Sequence, residues 1–174
     1  MGQTFDYIII GAGSAGCVLA NRLSKNPKNT VLVIEAGGPD KNMNIHIPGA
    51  YTKVHKSKED WGFWTEEQAN VLQRKIYLPR GKTLGGSSST NAMAYVRGNA
   101  ADYDGWEALG NPGWGYKDIL PYFKRAENNA DADHLDKGYH GTKGELDVTL
   151  PTTFQTPFVK GFIAACAAIG IPTN

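Results

Sequence analysis

Three glycines, Gly11, Gly13 and Gly16, stand at the spacing G-x-G-x-x-G. That spacing does its chemistry without side chains. Gly11 permits a tight turn out of a strand, Gly13 leaves the backbone open to a pyrophosphate, and Gly16 lets the following helix pack closely. Ser14 and Ala15 open that helix, whose N-terminus offers free N–H groups and a partial positive charge to phosphates. Glu35 lies about 20 residues beyond the turn, where an acid accepts hydrogen bonds from a ribose 2′-hydroxyl and disfavours a 2′-phosphate. NADP is therefore disfavoured. The motif alone leaves FAD and NAD both open, because both use it.

A second cluster is more selective. Arg80, Gly81, Lys82, Thr83, Leu84, Gly85, Gly86, Ser87, Ser88, Ser89, Thr90 and Asn91 describe a backbone that passes close to a flat or anionic ligand. Gly85-Gly86 supplies conformational freedom. The serines and Asn91 supply small hydrogen-bonding groups. A nicotinamide-binding domain alone leaves such a loop unexplained. The serines are not read as nucleophiles, since no G-x-S-x-G elbow surrounds them. Asp131, Asp133, Asp136 and Gly138 suggest a calcium loop, but an EF-hand places its glycine at the sixth position and Gly138 falls at the eighth. A solvated acidic loop is the better reading, and no metal site is expected.

These motifs need elements to hold them. Phe5–Ile10 and Thr30–Glu35 are nearly continuous runs of aromatic and β-branched residues and read as buried parallel strands. Between them, Ala15, Val18, Leu19 and Leu23 follow helical spacing until Lys25, before Asn26 and Pro27. The result is a βαβ unit of about 30 residues. Residues 36–44 read as loop and 45–78 as irregular. The stretch 91–96 fits a helix or an extended segment. Lys117–Glu127 reads as a helix interrupted or started by Pro121. Glu145–Leu150 alternates like an edge strand. Thr156 and Pro157 read as the N-cap and first position of a helix whose stripe is Phe158, Phe162, Ile163, Cys166 and Ile169. There is no internal repeat.

Composition bounds the rest. The chain has 174 residues, a formal net charge of +1, 41% hydrophobic and 20% charged residues, and 21 glycines. This is one domain's length with no field for nucleic acid and no signature of disorder. Cys17 and Cys166 permit one disulfide but no framework, and each reads as a small hydrophobe packed on a helix. The longest apolar run, 162–171, is too short to cross a bilayer, so no transmembrane segment is expected. The opening MGQTFD carries no secretory pattern, which suggests a cytoplasmic protein and leaves peripheral membrane association open.

With both glycine clusters in view, the chain resembles the N-terminal, FAD-binding part of the glucose–methanol–choline (GMC) oxidoreductases, and among them the choline-dehydrogenase-like members. The resemblance runs from Tyr7 to Asn174. It rests on residues 11–23, Glu35-Ala36-Gly37, residues 60–66, residues 80–98, and the segments around Trp106, Trp114, Pro121 and His140. It implies an α/β fold: a Rossmann-like FAD-binding βαβ unit with additional irregular and helical segments, incomplete relative to the family. The nucleotide-binding core would occupy about 5–48 and 79–105. Helices and the start of a further sheet would fill 106–174, and the substrate domain would be absent.

The resemblance also assigns residues. Gly11, Gly13, Ser14, Ala15 and Gly16 correspond to the pyrophosphate turn, and Glu35 with Ala36 to the adenosine ribose. Arg80, Gly81, Thr83, Leu84, Gly85 and Gly86 correspond to the loop that follows the phosphates. Ser87, Asn91, Ala92, Met93 and Ala94 correspond to the stretch along the flavin, with Trp64 nearby. Thr90 stands where some members carry a flavin-linked histidine, which implies non-covalent FAD. The implied reaction oxidises an alcohol: a histidine takes the hydroxyl proton and a hydride passes to flavin N5. That histidine lies far downstream in the family, and none of His46, His55, His134 and His140 matches it. The expected partners are a small-molecule alcohol and the remaining C-terminal part of the enzyme, as a second polypeptide. An NAD-dependent dehydrogenase domain and a catalytically silent nucleotide-binding fragment are the competing readings.

Overall fold

A computed structural model describes residues 2–150 and 156–172. The chain divides into two compact units, Met1–Ala94 and Tyr95–Asn174.

The first unit opens with strand β1, Tyr7–Ile10, helix α1, Ser14–Ser24, and strand β2, Val31–Ile34. The strands pair in parallel, Tyr7 with Val31 through Ile10 with Ile34, which is the predicted βαβ unit. Asp6 fastens the entrance of the pair: its Oδ2 accepts from the Thr30 N–H and the Thr30 hydroxyl, both at 2.7 Å. At the end of α1, Asn29 Nδ2 donates to the Leu23 carbonyl at 2.9 Å, satisfying one of the helix's orphan acceptors.

The expected burial of these strands is not observed. Ile9 is buried, but Ile8 is 59% and Ile10 78% exposed. A two-stranded sheet has one neighbour for each strand and, among the described residues, no second layer over its far face. Cys17 departs in the same way. It is exposed, and its thiol donates to the Ala12 carbonyl at 3.2 Å instead of packing as a hydrophobe; both cysteines are free.

The stretch read as irregular holds a short helix α2, Met43–His46, and a 3-10 helix over Pro48–Val54. A small antiparallel pair follows, β3, Phe63–Trp64, with β4, Tyr77–Leu78. Helix α3, Ser87–Thr90, comes after the second glycine cluster, and residues 91–94 are exposed and irregular.

The second unit contains α4, Ala100–Ala108, α5, Tyr116–Ala126, β5, Glu127–Asn129, β6, Leu146–Val148, and α6, Pro157–Ala168. The predicted cap of α6 is present: the Thr156 hydroxyl accepts from the Val159 N–H at 3.4 Å, with Pro157 at the first helical position. Pro121 neither starts nor breaks α5, contrary to expectation. The helix begins at Tyr116 and continues through the proline. Phe123, two residues beyond the proline, packs edge-on to Tyr103 of α4 at 5.8 Å. The edge strand expected at 145–150 is β6, and it pairs in parallel with β5.

Glu127 organises this unit. It is fully buried and gathers four donors: Arg97 Nη2, His140 Nδ1 at 2.8 Å, Asn129 Nδ2 at 2.9 Å and the Gly141 N–H at 3.0 Å. Burial pushes its pKa up, but the His140, Asn129 and Gly141 hydrogen bonds and the Arg97 charge outweigh that and hold it below the usual carboxylate range. His140 is thus structural. In the acidic loop, Asp131 Oδ2 accepts from the Leu150 N–H at 2.6 Å and Asp133 pairs with Lys137, so these side chains serve the chain's own turns.

Candidate functional site

The two glycine clusters meet in the first unit. Gly11 leaves β1 with φ +92, a left-handed turn that favours glycine. A Cβ on Gly16 would lie 1.9 Å from the Gly11 carbonyl oxygen, so the first turn of α1 can press onto the glycine turn only without a side chain. Gly13 is the N-cap and makes no side-chain cap, which leaves first-turn N–H groups for an outside acceptor.

The second cluster comes against this turn. Gly86, at φ +54, packs on Gly13 so closely that a Cβ there would lie 2.8 Å from the Gly13 Cα. The Gly85 N–H donates to the Ala12 carbonyl at 2.8 Å, and the Ser14 and Ser88 hydroxyls hydrogen-bond. The strand end is tied in as well. The Leu84 N–H and the Thr83 hydroxyl both donate to the Gly38 carbonyl at 2.9 Å.

Asp60 positions the start of the loop. Its carboxylate accepts from the Lys56 N–H at 2.7 Å, from the Gly62 and Arg80 N–H groups at 3.0 Å each, and from the Tyr77 hydroxyl. Burial raises its pKa, but the Tyr77 hydroxyl and the three backbone donors outweigh burial and hold the carboxyl well below the usual range. It is an ionised anchor at neutral pH.

These contacts border an open cavity of about 790 Å³. Of the residues singled out in the sequence, Gly11, Gly13, Ser14, Ala15, Gly16, Glu35, Ala36, Arg80, Gly81, Gly86 and Ser87 line it. Gly85, Thr83 and Leu84 bind the walls together from behind. Thr83 is 1% exposed and Leu84 is 45% exposed. Asn91, Ala92, Met93 and Ala94 do not line the cavity; the Asn91 side chain turns back to accept from the Met93 N–H at 2.7 Å. Trp64 does not line it either. Its ring tilts against Tyr77 at 5.4 Å, with the Lys56 ammonium 5.2 Å from its centroid.

Trp61 and Phe63 do line the cavity, stacked at 5.7 Å and 9°. The sequence places them in the 60–66 segment of the family resemblance without assigning them a site role. Their one signal was a Trp-Gly-Phe run next to the Asp60 anchor. Phosphate and ring chemistry both fit the cavity, because the first residues of α1, Arg80 and the Trp61–Phe63 stack all line it.

A sequence profile of the GMC oxidoreductases matches residues 5–174. An oxygen-dependent choline dehydrogenase from Vibrio vulnificus is 46% identical over 174 residues, covering 99% of this chain and 30% of that protein. The crystal structure of pyridoxine 4-oxidase from Mesorbium loti superposes with a TM-score of 0.83 at 37% identity, over 97% of this chain and 33% of the oxidase. An FAD-dependent oxidoreductase from Chaetomium thermophilum gives 0.79 at 33% identity, over 98% and 30%. The chain belongs to the GMC oxidoreductase family, and its fold is that of the family's N-terminal FAD-binding part. It spans about a third of the length of these relatives. Among the described residues, no helix is long and apolar enough to cross a membrane.

Proposed function

We propose that this chain supplies the FAD-binding framework of an enzyme that oxidises an alcohol. The observation that carries the reading is the convergence of the Gly11–Gly16 turn, Glu35 and the Arg80–Ser87 loop on one cavity. Three of its lining glycines, Gly16, Gly81 and Gly86, have no room for a Cβ because each packs on backbone of the same two motifs, and this fixes the motifs against each other at its border.

The pyrophosphate belongs against Gly13, Ser14, Ala15 and Gly16, held by first-turn N–H groups of α1 with Arg80 contributing charge. Glu35 and Ala36 face the adenosine ribose. The ring system belongs along Ser87 and extends past the cavity mouth to the exposed Asn91–Ala94 stretch, which does not line the cavity, with Trp64 in its neighbourhood. When bound, FAD supplies the ring that accepts a hydride from the carbinol carbon. The chain's own residues bind and orient it; the base that takes the hydroxyl proton comes from polypeptide beyond these motifs. Thr90 is a half-buried member of α3 with no nucleophile suited to a flavin linkage, so binding is non-covalent.

The same proposal covers the exposed apolar side chains of the βαβ unit that lie outside the cavity, Ile8, Val18 and Leu19. Further polypeptide, equivalent to the remaining two thirds of the relatives, packs on them and completes the enzyme, whether on the same chain or as a second one. A cytoplasmic setting is part of the proposal.

The test is spectroscopic. Protein purified together with the polypeptide that completes it should show flavin absorption in the visible, an added alcohol should bleach it when oxygen is excluded, and acid precipitation should leave the flavin in the supernatant. A protein that takes up NAD and no flavin would overturn the cofactor. Flavin that stays with the acid pellet would overturn the reading of Thr90.

A further inference from the structure

Glu35 faces the cavity, yet its carboxylate is already engaged. Oε2 accepts from the Ala12 N–H at 2.7 Å and Oε1 from the Gly37 N–H at 2.8 Å. Ala12 is 4% exposed, and its carbonyl takes the Gly85 N–H at 2.8 Å. Leu84, adjacent to Gly85, donates to Gly38, adjacent to Gly37, at 2.9 Å. The four hydrogen bonds close a ring: from Glu35 to Ala12, to the 84–85 segment, to the 37–38 segment, and back to Glu35. The ring ties together the glycine turn, the end of β2 and the second glycine loop, which are distant in sequence.

The ring is tight. A Cβ on Gly37 would lie 2.1 Å from the Lys82 carbonyl oxygen. Without Glu35, the Ala12 and Gly37 N–H groups lose their acceptor in a part-buried setting, and such a donor is costly to strand. A carboxylate has about four lone-pair sites, so two backbone donors leave capacity for a ribose hydroxyl.

We propose that Glu35 is a positioning residue that assembles the nucleotide cradle before any nucleotide binds, through the carboxylate-centred ring that joins the two glycine motifs. The inference concerns the cavity assigned above to FAD, but it holds for the empty cradle and does not need a flavin. Glutamine cannot replace the carboxylate in this role. Its single carbonyl oxygen serves one N–H, and its amide nitrogen then faces the other, donor against donor.

The test is hydrogen exchange by mass spectrometry on the full-length protein freed of cofactor. In the parent, amides 12, 37, 84 and 85 should be protected without nucleotide, and saturating ADP should add little. If they exchange as free loop amides until ADP is present, the cradle is not preassembled and the proposal falls; this arm needs no variant. In Glu35→Gln, all four should exchange about tenfold faster or more, while the amides of α4 and α5 keep the parent's rates. Inorganic pyrophosphate, which has no ribose, should then bind about tenfold more weakly to the variant, as should ADP. Weaker ADP binding with unchanged pyrophosphate binding and unchanged exchange at 84–85 would confine Glu35 to the ribose and overturn the proposal. Protection in the parent without any ADP binding would support the ring while sinking the nucleotide reading of the cavity.

Discussion

Gly86→Ala tests the meeting of the two glycine motifs most directly. Gly86 sits at φ +54 and ψ −133, a backbone region that L residues avoid. Holding alanine there costs about 1–3 kcal/mol. The new methyl would also stand 2.8 Å from the Gly13 Cα and 3.6 Å from the Gly13 nitrogen. Carbon atoms prefer a separation of about 3.5–4.0 Å, so one backbone must give way. Gly13 has no side chain to rotate aside, and displacing it displaces the first turn of α1. Overpacking of this kind costs a further ~1–3 kcal/mol. With partial relief, the expected loss is about 2–4 kcal/mol, or on the order of 10 °C in melting temperature for a chain of this size. Thermal unfolding followed by circular dichroism reads it. Gly113→Ala is the control, because Gly113 shares a positive φ of +84 but has nothing within 4 Å. It should lose only the strain, about 1–2 kcal/mol. FAD affinity should fall by at least about tenfold in Gly86→Ala and stay unchanged in Gly113→Ala. Equal melting points and equal flavin content for the two variants would refute the close approach of Gly86 to Gly13.

Other substitutions probe the carboxylates and the helices. Asp60 and Glu127 titrate lower in the folded chain than in the unfolded one, where such groups lie near 4. Their stabilisation is therefore complete above about pH 4 and is lost as pH falls towards the folded values, so melting temperature should drop below about pH 4 and drop less steeply in Asp60→Asn. Glu127→Gln leaves Arg97, whose side chain is 12% exposed, without its counter-charge. At neutral pH it should cost about 3–5 kcal/mol by urea unfolding, and a cost under about 1 kcal/mol would show that the ion pair is not buried in solution. Gly105 lies inside α4 with open space where a Cβ would go, so Gly105→Ala should raise stability by about 0.5–1 kcal/mol.

The legible parts of this fold were those with local causes. Gly11–Gly16 lies between a β-branched strand and a helical stripe, and both elements follow from their own residues. Thr156 and Pro157 mark a helix start by cap chemistry alone. The contact of Gly13 with Gly86 has no such signal, since the sequence shows two glycine clusters and not their apposition. Strand β5 was hidden for another reason. Glu-Asn-Asn has low strand propensity. What extends it is the set of hydrogen bonds converging on Glu127 from Arg97, His140 and Gly141, residues on separate segments. In the site, Glu35 was read from its spacing as a ribose acid, but spacing says nothing of the Ala12 and Gly37 N–H groups that it also holds.

A common device underlies these cases. The strands are two to four residues long, and the buried apolar residues among those described are only Ile9, Ala12, Ala50, Val54 and Ala132. Neither ladder nor core is extensive enough to fix segments that lie 20 to 50 residues apart, as Asp60 and Arg80 or Gly38 and Thr83 do. Carboxylates do that instead. Asp60 gathers Lys56, Gly62, Tyr77 and Arg80; Glu35 gathers Ala12 and Gly37; Glu127 gathers Arg97, Asn129, His140 and Gly141. Each meets mainly backbone N–H groups or fixed side-chain donors, and hydrogen bonds to a charged acceptor contribute about twice what neutral ones do. A framework pinned at such points can hold its glycine walls in place while leaving its apolar strand faces free. That combination suits the nucleotide cradle and the covering polypeptide proposed above.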